Sequence, residues 1–289
     1  MDPAFIFETD SDGNEITTVQ LRARWNPRPR IGVRLDSYLR HARQEGPAPE
    51  RTAQGVTASL TTYLAPGWVG SGGVGVSGSD APAEGATPNV FASVSTPRRY
   101  SIGASLAYAY GPFDATALLI ERGVTLGEIS LAARAEPSAG WTLSLGLALG
   151  SLTGTESNTR TVFKVAVTRL LAPLWTLGGR LKAFGYERDV NDGYFDPDLY
   201  WLLELPLRWR RQLQRFAIVA EIAPGLQQVG SDGSAKAALL AYSRVGYTLA
   251  PGRELGIGLT YSHSGASAFA TDAADYRYFS INAGGTFTF

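Results

Sequence analysis

The feature that most limits how this chain can fold is strict alternation of side-chain character, repeated from one end to the other. Near the C-terminus Phe279, Ile281, Ala283, Gly285, Phe287 and Phe289 fall on one face, while Tyr278, Ser280, Asn282, Gly284, Thr286 and Thr288 fall on the other. Trp141, Leu143, Leu145, Leu147 and Leu149 alternate with Thr142, Ser144, Gly146, Ala148 and Gly150. Trp201 to Trp209 and Leu255 to Tyr261 repeat the pattern. A period of two is the signature of a β-strand with two unlike faces. These segments run to roughly 9–14 residues, beyond the ~5–6 usual in globular sheets and matching the ~9–11 that a tilted strand needs to cross a bilayer.

Composition agrees with an all-β chain of unusual surface. Of 289 residues only 18% are charged, with 26 basic against 26 acidic, and 33 are glycine. Soluble domains carry about 25% charge and about 7% glycine. The neutral balance argues against a nucleic-acid partner, and the absence of cysteine removes disulfides and thiolate chemistry. His41 and His263 are the only histidines, so neither a metal nor another cofactor is expected. No apolar run nears the ~18 residues of a membrane helix, and no secretory signal opens the sequence.

Three features assign the apolar face to lipid. Trp25, Trp68, Trp141, Trp175 and Trp209 each lie about one residue from a short turn and share the apolar face, as an aromatic belt at one membrane interface requires. Trp201, at the other end of the strand that carries Trp209, falls roughly 20 Å away along the membrane normal, the height of an outer-membrane apolar band. Connections also alternate in length: 265–275 long, 250–252 short, 230–234 medium, 211–212 short, 188–198 long and 172–173 short. Finally, Asn282, Gly284, Phe287 and Phe289 resemble the C-terminal signal read by the barrel-assembly machinery of the outer membrane.

The expected fold is therefore all-β: one transmembrane antiparallel barrel over 1–289, in the outer membrane, with lipids as its surroundings. Alternation marks strands near 3–9, 15–26, 30–41, 54–65, 67–78, 99–110, 112–121, 127–136, 140–151, 158–171, 174–187, 198–210, 213–228, 235–249, 253–264 and 276–289. That is 16, and counts of 14 or 18 are also compatible. An even number puts both termini on the periplasmic side. Val90–Ser95 alternates too, but as a seventeenth strand it would put the turn at 65–67, with Trp68, on the wrong rim. Ser79–Arg98 is accordingly read as a long extracellular excursion with local β character.

Several motifs weigh against chemistry. Gly70 to Gly75 matches a phosphate-loop spacing, but no helix pattern follows it, so a glycine-rich strand is the better reading. Asp10/Asp12 and Asp189/Asn191/Asp192 suggest calcium loops yet lack the full ligand spacing, and read better as solvated loop-tip carboxylates. His263 and Ser264 are adjacent and so point to opposite faces, Ser267 lies in the loop, and no orienting acid or oxyanion hole can be assigned. The chain is therefore read as a non-enzyme.

The polar face carries the richer constellation. Arg22, Arg24, Arg34 and Arg40 lie on two consecutive strands, joined by Arg180, Lys182, Arg208 and Arg244, with Asp36, Glu204 and Glu221 and with Tyr38, Tyr63, Tyr242 and Tyr278. They read either as an ion-pair lattice that holds the wall or as the lining of a conduit, since charged rings select solutes and 16 strands leave an aqueous lumen.

One stretch carries a family resemblance. Asn191-Asp192-Gly193-Tyr194-Phe195-Asp196-Pro197-Asp198-Leu199-Tyr200, followed by Leu205-Pro206-Leu207-Arg208-Trp209, resembles the C-terminal barrel of the cellulose synthase operon protein C family. The resemblance implies a 16-strand pore that exports an exopolysaccharide such as a cellulose-like glucan, joined to a periplasmic domain of tetratricopeptide repeats. No repeats precede the barrel here, and the Met-Asp-Pro start suggests a barrel cut from a longer chain. A general diffusion porin, an outer-membrane lipid hydrolase using His263 and a surface-anchoring barrel are the alternatives. A porin needs an inward-folded constriction loop, for which Ser79–Arg98 is the candidate.

Overall fold

The computed structural model describes residues 1–45, 50–65, 67–81, 85–96, 102–190, 192–264 and 276–288. Alternation becomes strand nearly throughout. The first eight segments are β1 (Asp2–Asp10), β2 (Asn14–Arg28), β3 (Ile31–Gln44), β4 (Arg51–Ala65), β5 (Trp68–Ser79), β6 (Thr87–Ser95), β7 (Ile102–Pro112) and β8 (Thr125–Ala135). They are followed by β9 (Trp141–Thr153), β10 (Ser157–Ala172), β11 (Trp175–Tyr186), β12 (Tyr200–Glu204), β13 (Leu207–Leu213) and β14 (Phe216–Val229). The last three are β15 (Lys236–Ala250), β16 (Arg253–His263) and β17 (Arg277–Phe287). One short helix, α1 (Ala117–Glu121), lies between β7 and β8.

The sheet is antiparallel and closes on itself. β1 pairs with β2 on one side and with β17 on the other, from Ala4 opposite Gly284 to Asp10 opposite Tyr278. Closure removes both edges, which in lipid would leave a row of unpaired backbone groups. β12 and β13 are two halves of one strand, because both pair with β11 and β14 in a single unbroken register. The gap falls at Leu205-Pro206, where proline has no N–H to give the ladder. Gly178 N–H still donates to the Pro206 carbonyl at 2.9 Å. The barrel thus has 16 strands.

Side chains sort as the alternation requires. Leu143, Leu145, Leu147 and Leu149 of β9 and Leu255, Ile257 and Leu259 of β16 stand exposed on the outer surface. Large apolar side chains cover that surface on strand after strand, an arrangement water does not tolerate and hydrocarbon does. Among the described residues no helix is long and apolar enough to cross a membrane, so the crossing elements are the strands.

Two expectations are corrected, and they offset one another in the count. Val90–Ser95 belongs to a full strand, β6, paired with β5 and β7, so Ser79–Arg98 is not one long excursion. Conversely 112–121 is not a strand. Past Pro112 the chain leaves the wall, and Thr116 caps α1 by accepting the Leu119 N–H at 3.2 Å. The segment Ala117-Leu118-Leu119-Ile120 is apolar on both faces, and it is buried rather than spanning. The hairpin expected at 211–212 also turns later, at Gln214-Arg215, where Gln214 adopts φ 48°. Trp209 therefore sits four to five residues before its turn and opposite Trp175.

The connections define two rims. Most short turns and both ends of the chain share one rim, and the connections 113–124, 187–199 and 230–235, with the short turns 11–13 and 154–156, share the other. The buried core lies inside the barrel at this second, loop-bearing rim. α1 packs Ala117 and Ile120 against Ile16, Ala42 and Ala53 of β2, β3 and β4. Leu119 and Val124 pack on the far side with Leu152, Phe184, Tyr194, Phe195 and Tyr200. The segment thus lies across the opening, between two walls of the barrel.

Candidate functional site

Each charged residue expected on the polar face sits on the inward-facing position of its strand. On the wall of β2 and β3, Arg22 meets Asp36 at 2.7 Å and Arg34 meets the other oxygen of Asp36 at 2.5 Å. Arg24 faces Arg34 across the ladder and pairs with Asp2 at 3.1 Å. Higher on β3, Arg40 donates to the Asp114 carboxylate at 2.6 Å and Tyr38 donates to it at 2.9 Å. Asp114 opens the segment that carries α1, so these two residues anchor the inward fold. Arg51 of β4 does the same at the other end of the helix, pairing with Glu121.

The opposite wall has its own lattice. Arg180 of β11 bridges Glu204 at 2.6 Å and Glu221 at 2.9 Å, and Arg208 approaches Glu221 at 3.6 Å. Arg160 of β10 pairs with Glu128 of β8 at 2.6 Å. Tyr278 donates to Glu8 at 2.6 Å, tying the closing strand to the first. Tyr63, Tyr242 and Arg244 occupy inward positions without a partner in these lattices. Lys182 faces inward beside Lys164, its direct neighbour across the ladder.

Alternation alone could have found Arg160 and Lys164, which share the inward face of β10 with Val162 and Ala166. Asp114 and Glu121 could not be found that way, because they lie in the segment misread as a strand. Tyr200 carries no signal of its role in the sequence either. It is wholly buried and donates to Gln227 at 3.0 Å.

Glycine gives the inner wall its aromatic surface. A side chain at Gly73 would collide with the Phe91 ring, and one at Gly55 with the Tyr38 ring. The rings lie flat over the strand beside them, where only hydrogen leaves room. The glycine-rich run 70–75 lies within β5, as a strand rather than a turn into a helix.

The other expectations resolve as follows. Trp25, Trp68, Trp141 and Trp175 are exposed outward near the turn-bearing rim. Trp209 faces outward below them, and Trp201, near the other rim, donates to Gln228 at 3.1 Å. Asn282 and Gly284 face inward, Phe287 faces outward, and Phe289 lies outside the described residues, as do Asn191 and Ser267. Asp192 is not a solvated loop tip: it is fully buried, bonded by Thr155 and ion-paired with Arg122 at 3.2 Å. Asp10 caps its own turn, accepting the Asp12 and Asn14 N–H groups at 2.9 and 3.0 Å. Outside the strands, burial pushes the Asp196 carboxyl up to about 6 and the Tyr194 hydroxyl up to about 12. His263 faces outward and Ser264 inward, where it meets Ser262 at 2.8 Å, so the two form no dyad.

Cavities follow the inner wall. One of about 870 Å³ opens at the turn-bearing rim, bordered by Arg134, Arg208 and Arg210. One of about 650 Å³ lies against Arg22, Asp36, Phe91 and Arg244. A third, of about 710 Å³, lies beside Lys164, Lys182, Glu204 and Tyr278. Between α1 and the wall of Tyr38, Ala53 and Ser77 only about 10 Å³ is left. Among the described residues the inside is roomy and charged at the turn-bearing end, and towards the other end α1 and the residues around it pack against the wall.

That architecture has close solved counterparts. The chain is similar to a bacterial polysaccharide outer membrane secretin, with a TM-score of 0.76 at 10% identity, over 99% of this chain and 98% of that one. The fold is that of an outer-membrane β-barrel. It is also similar to OccAB1 of Acinetobacter baumannii (TM-score 0.53, 9% identity, 98% of this chain and 94% of that one). OccK5 (OpdH) of Pseudomonas aeruginosa scores 0.52 at 10% identity, over 99% and 97% of the two chains. No protein-family model and no curated protein matches the sequence.

Proposed function

We propose that this chain is an outer-membrane pore that exports a polysaccharide, with its short turns and both termini in the periplasm. One observation carries the reading. The inner wall is polar and charged over the turn-bearing end and carries aromatic rings further in, and segments anchored to the wall but not part of it lie over the opposite end. A polymer taken up at the periplasmic mouth would meet the arginines and then the rings of Tyr38, Phe91 and Tyr278. It would leave by displacing 113–124 and 187–199. The similarity in fold to a polysaccharide secretin supports the reading, as does the resemblance of residues 191–209 to an exporter family. On that reading the partners are lipids, the barrel-assembly machinery, a glycan chain and a periplasmic repeat domain.

A diffusion pore for small solutes is the second reading. The specific observation in its favour is that a loop does fold inward, at 113–124 rather than at Ser79–Arg98. It packs near the loop-bearing rim, however, and not at the waist, which suits a cover better than a sieve.

Planar-bilayer recording tests both. The intact barrel is expected to pass small, interrupted currents, and a variant with 115–123 replaced by a short Gly-Ser link is expected to pass large steady ones. Large steady currents from the intact barrel would favour the diffusion pore, and none from either would reject a pore.

A further inference from the structure

Lys164 of β10 and Lys182 of β11 stand directly opposite each other on the inward face. Like charges in that relation destabilise a sheet. Neighbouring cations are neutralised: Arg160 by Glu128, and Arg180 by Glu204 and Glu221. The Lys164 side chain has no ion pair or hydrogen bond with any described residue and is open to the interior. On its other flank the ladder places Gly146, which adds no side chain.

Space and hydroxyl groups converge on the same point. Both lysines border two cavities, one of about 370 Å³ and one of about 710 Å³, in the range of ~300–1,000 Å³ that holds small ligands. Ser144, Thr260, Ser262 and Tyr278 border the larger one. Phe184 and Phe195 border the smaller, and the Lys182 ammonium lies 5.1 Å from the Phe184 ring centroid. Adjacent ammonium groups bind a carboxylate, hydroxyls bind ring hydroxyls, and flat rings bind apolar sugar faces.

We propose that Lys164 and Lys182 form a binding site for the carboxylates of an acidic polysaccharide. The assignment rests on the polysaccharide-pore reading and names its polymer class: sugars carrying a carboxylate, rather than a neutral glucan. Around the turn-bearing mouth Arg134 pairs with Glu136 at 3.4 Å and Arg208 with Glu221 at 3.6 Å, and Arg210 adds a further positive charge beside them.

The test compares hexagalacturonate with cellohexaose on the full 289-residue chain folded in detergent, by titration calorimetry and by bilayer recording. Hexagalacturonate is expected to bind at least about tenfold more tightly and to lose that margin between 50 and 500 mM salt, as screened charge pairs do. The margin is expected to vanish in K164Q/K182Q and to persist in K164R, with heat-modifiable gel mobility confirming that each variant is folded. Equal binding of the neutral oligomer, or an unchanged margin in the double variant, overturns the assignment. So does displacement by inorganic sulfate at equal concentration, which would mark a plain anion well. Uronate binding without any ion current would count against the pore reading alone, while current without uronate preference would count against this site alone.

Discussion

Arg122, one residue past α1, donates to the carboxylate of Asp192 at 3.2 Å, across a sequence separation of 70 residues. The contact joins the segment between β7 and β8 to the segment between β11 and β12. Asp192 is fully buried while Arg122 is partly open, and Thr155 of the β9–β10 connection completes the carboxylate's shell. Three connections are thereby locked together over one end of the barrel.

A buried carboxylate stripped of its cation is costly, because little else nearby can offset its desolvation. Arg122→Gln is therefore expected to unseat the cover, raising the open fraction in planar bilayers several-fold and exposing 113–124 to added protease. Unchanged gating in that variant would sink the idea that this pair holds the cover.

Acidity is expected to act through Asp196. Burial raises its carboxyl to about 6, with Asp189 and Asp192 adding to the effect and the Val190 N–H opposing it; Tyr186 and Tyr194 also face it. A carboxyl with a raised value holds its proton more firmly in the seated loop than in a released one. Seating thus strengthens as pH falls through about 6 towards the ordinary value of 3.8, and weakens as pH rises through that window. Open fraction is expected to be lower at pH 4.5 than at pH 7.5, and Asp196→Asn is expected to flatten the difference. The opposite slope in single-channel records would contradict the assignment.

The Arg180 lattice gives a stability prediction. Glu204 and Glu221 are almost buried, at 7% and 11%, and Arg180 is 31% exposed. Arg180→Met leaves two carboxylates facing each other and is expected to cost about 2–3 kcal/mol, allowing for lumen water. Adding E204Q and E221Q is expected to recover most of that. Urea unfolding in lipid vesicles, read by tryptophan fluorescence, measures both, and a triple variant as weak as the single one would refute the lattice.

Leu147 and Ala148 test which face meets lipid. Leu147 stands outward at the middle of β9, and Ala148 borders an inner cavity. Arginine at Leu147 is expected to cost about 2–4 kcal/mol, and arginine at Ala148 far less. Similar losses at the two positions in the same unfolding assay would reject the inside-out arrangement.

Much of the barrel was legible because each strand is exposed to two unlike media, and period two records that directly. The inward set Arg22, Asp36, Arg180 and Glu204 followed from parity alone. The two segments that differ are tied together by parity. Val90–Ser95 alternates, but with 112–121 also counted as a wall strand it would be a seventeenth; the closed sheet instead uses it as the partner of β5 and β7. Residues 117–120 look strand-like by hydrophobicity, but apolar residues on both faces mean burial on both sides, which a wall strand does not have. Because one strand was gained and one lost, the turn at 65–67 stayed on its proper rim and the total stayed at 16.

By itself the sequence determined an inside-out β-barrel, its lipid face, its rims and most of its charged lining. These depend on local periodicity, which neighbouring residues express without help from distant ones. Only the tertiary structure decided that 113–124 turns inward, that Arg122 finds Asp192, and that Lys164 and Lys182 stand side by side over open space. The first two are contacts between residues far apart in the chain, brought within reach once the barrel closes between β1 and β17; Lys164 and Lys182 are cross-strand neighbours in the β10–β11 hairpin, and closure supplies only the open interior they face.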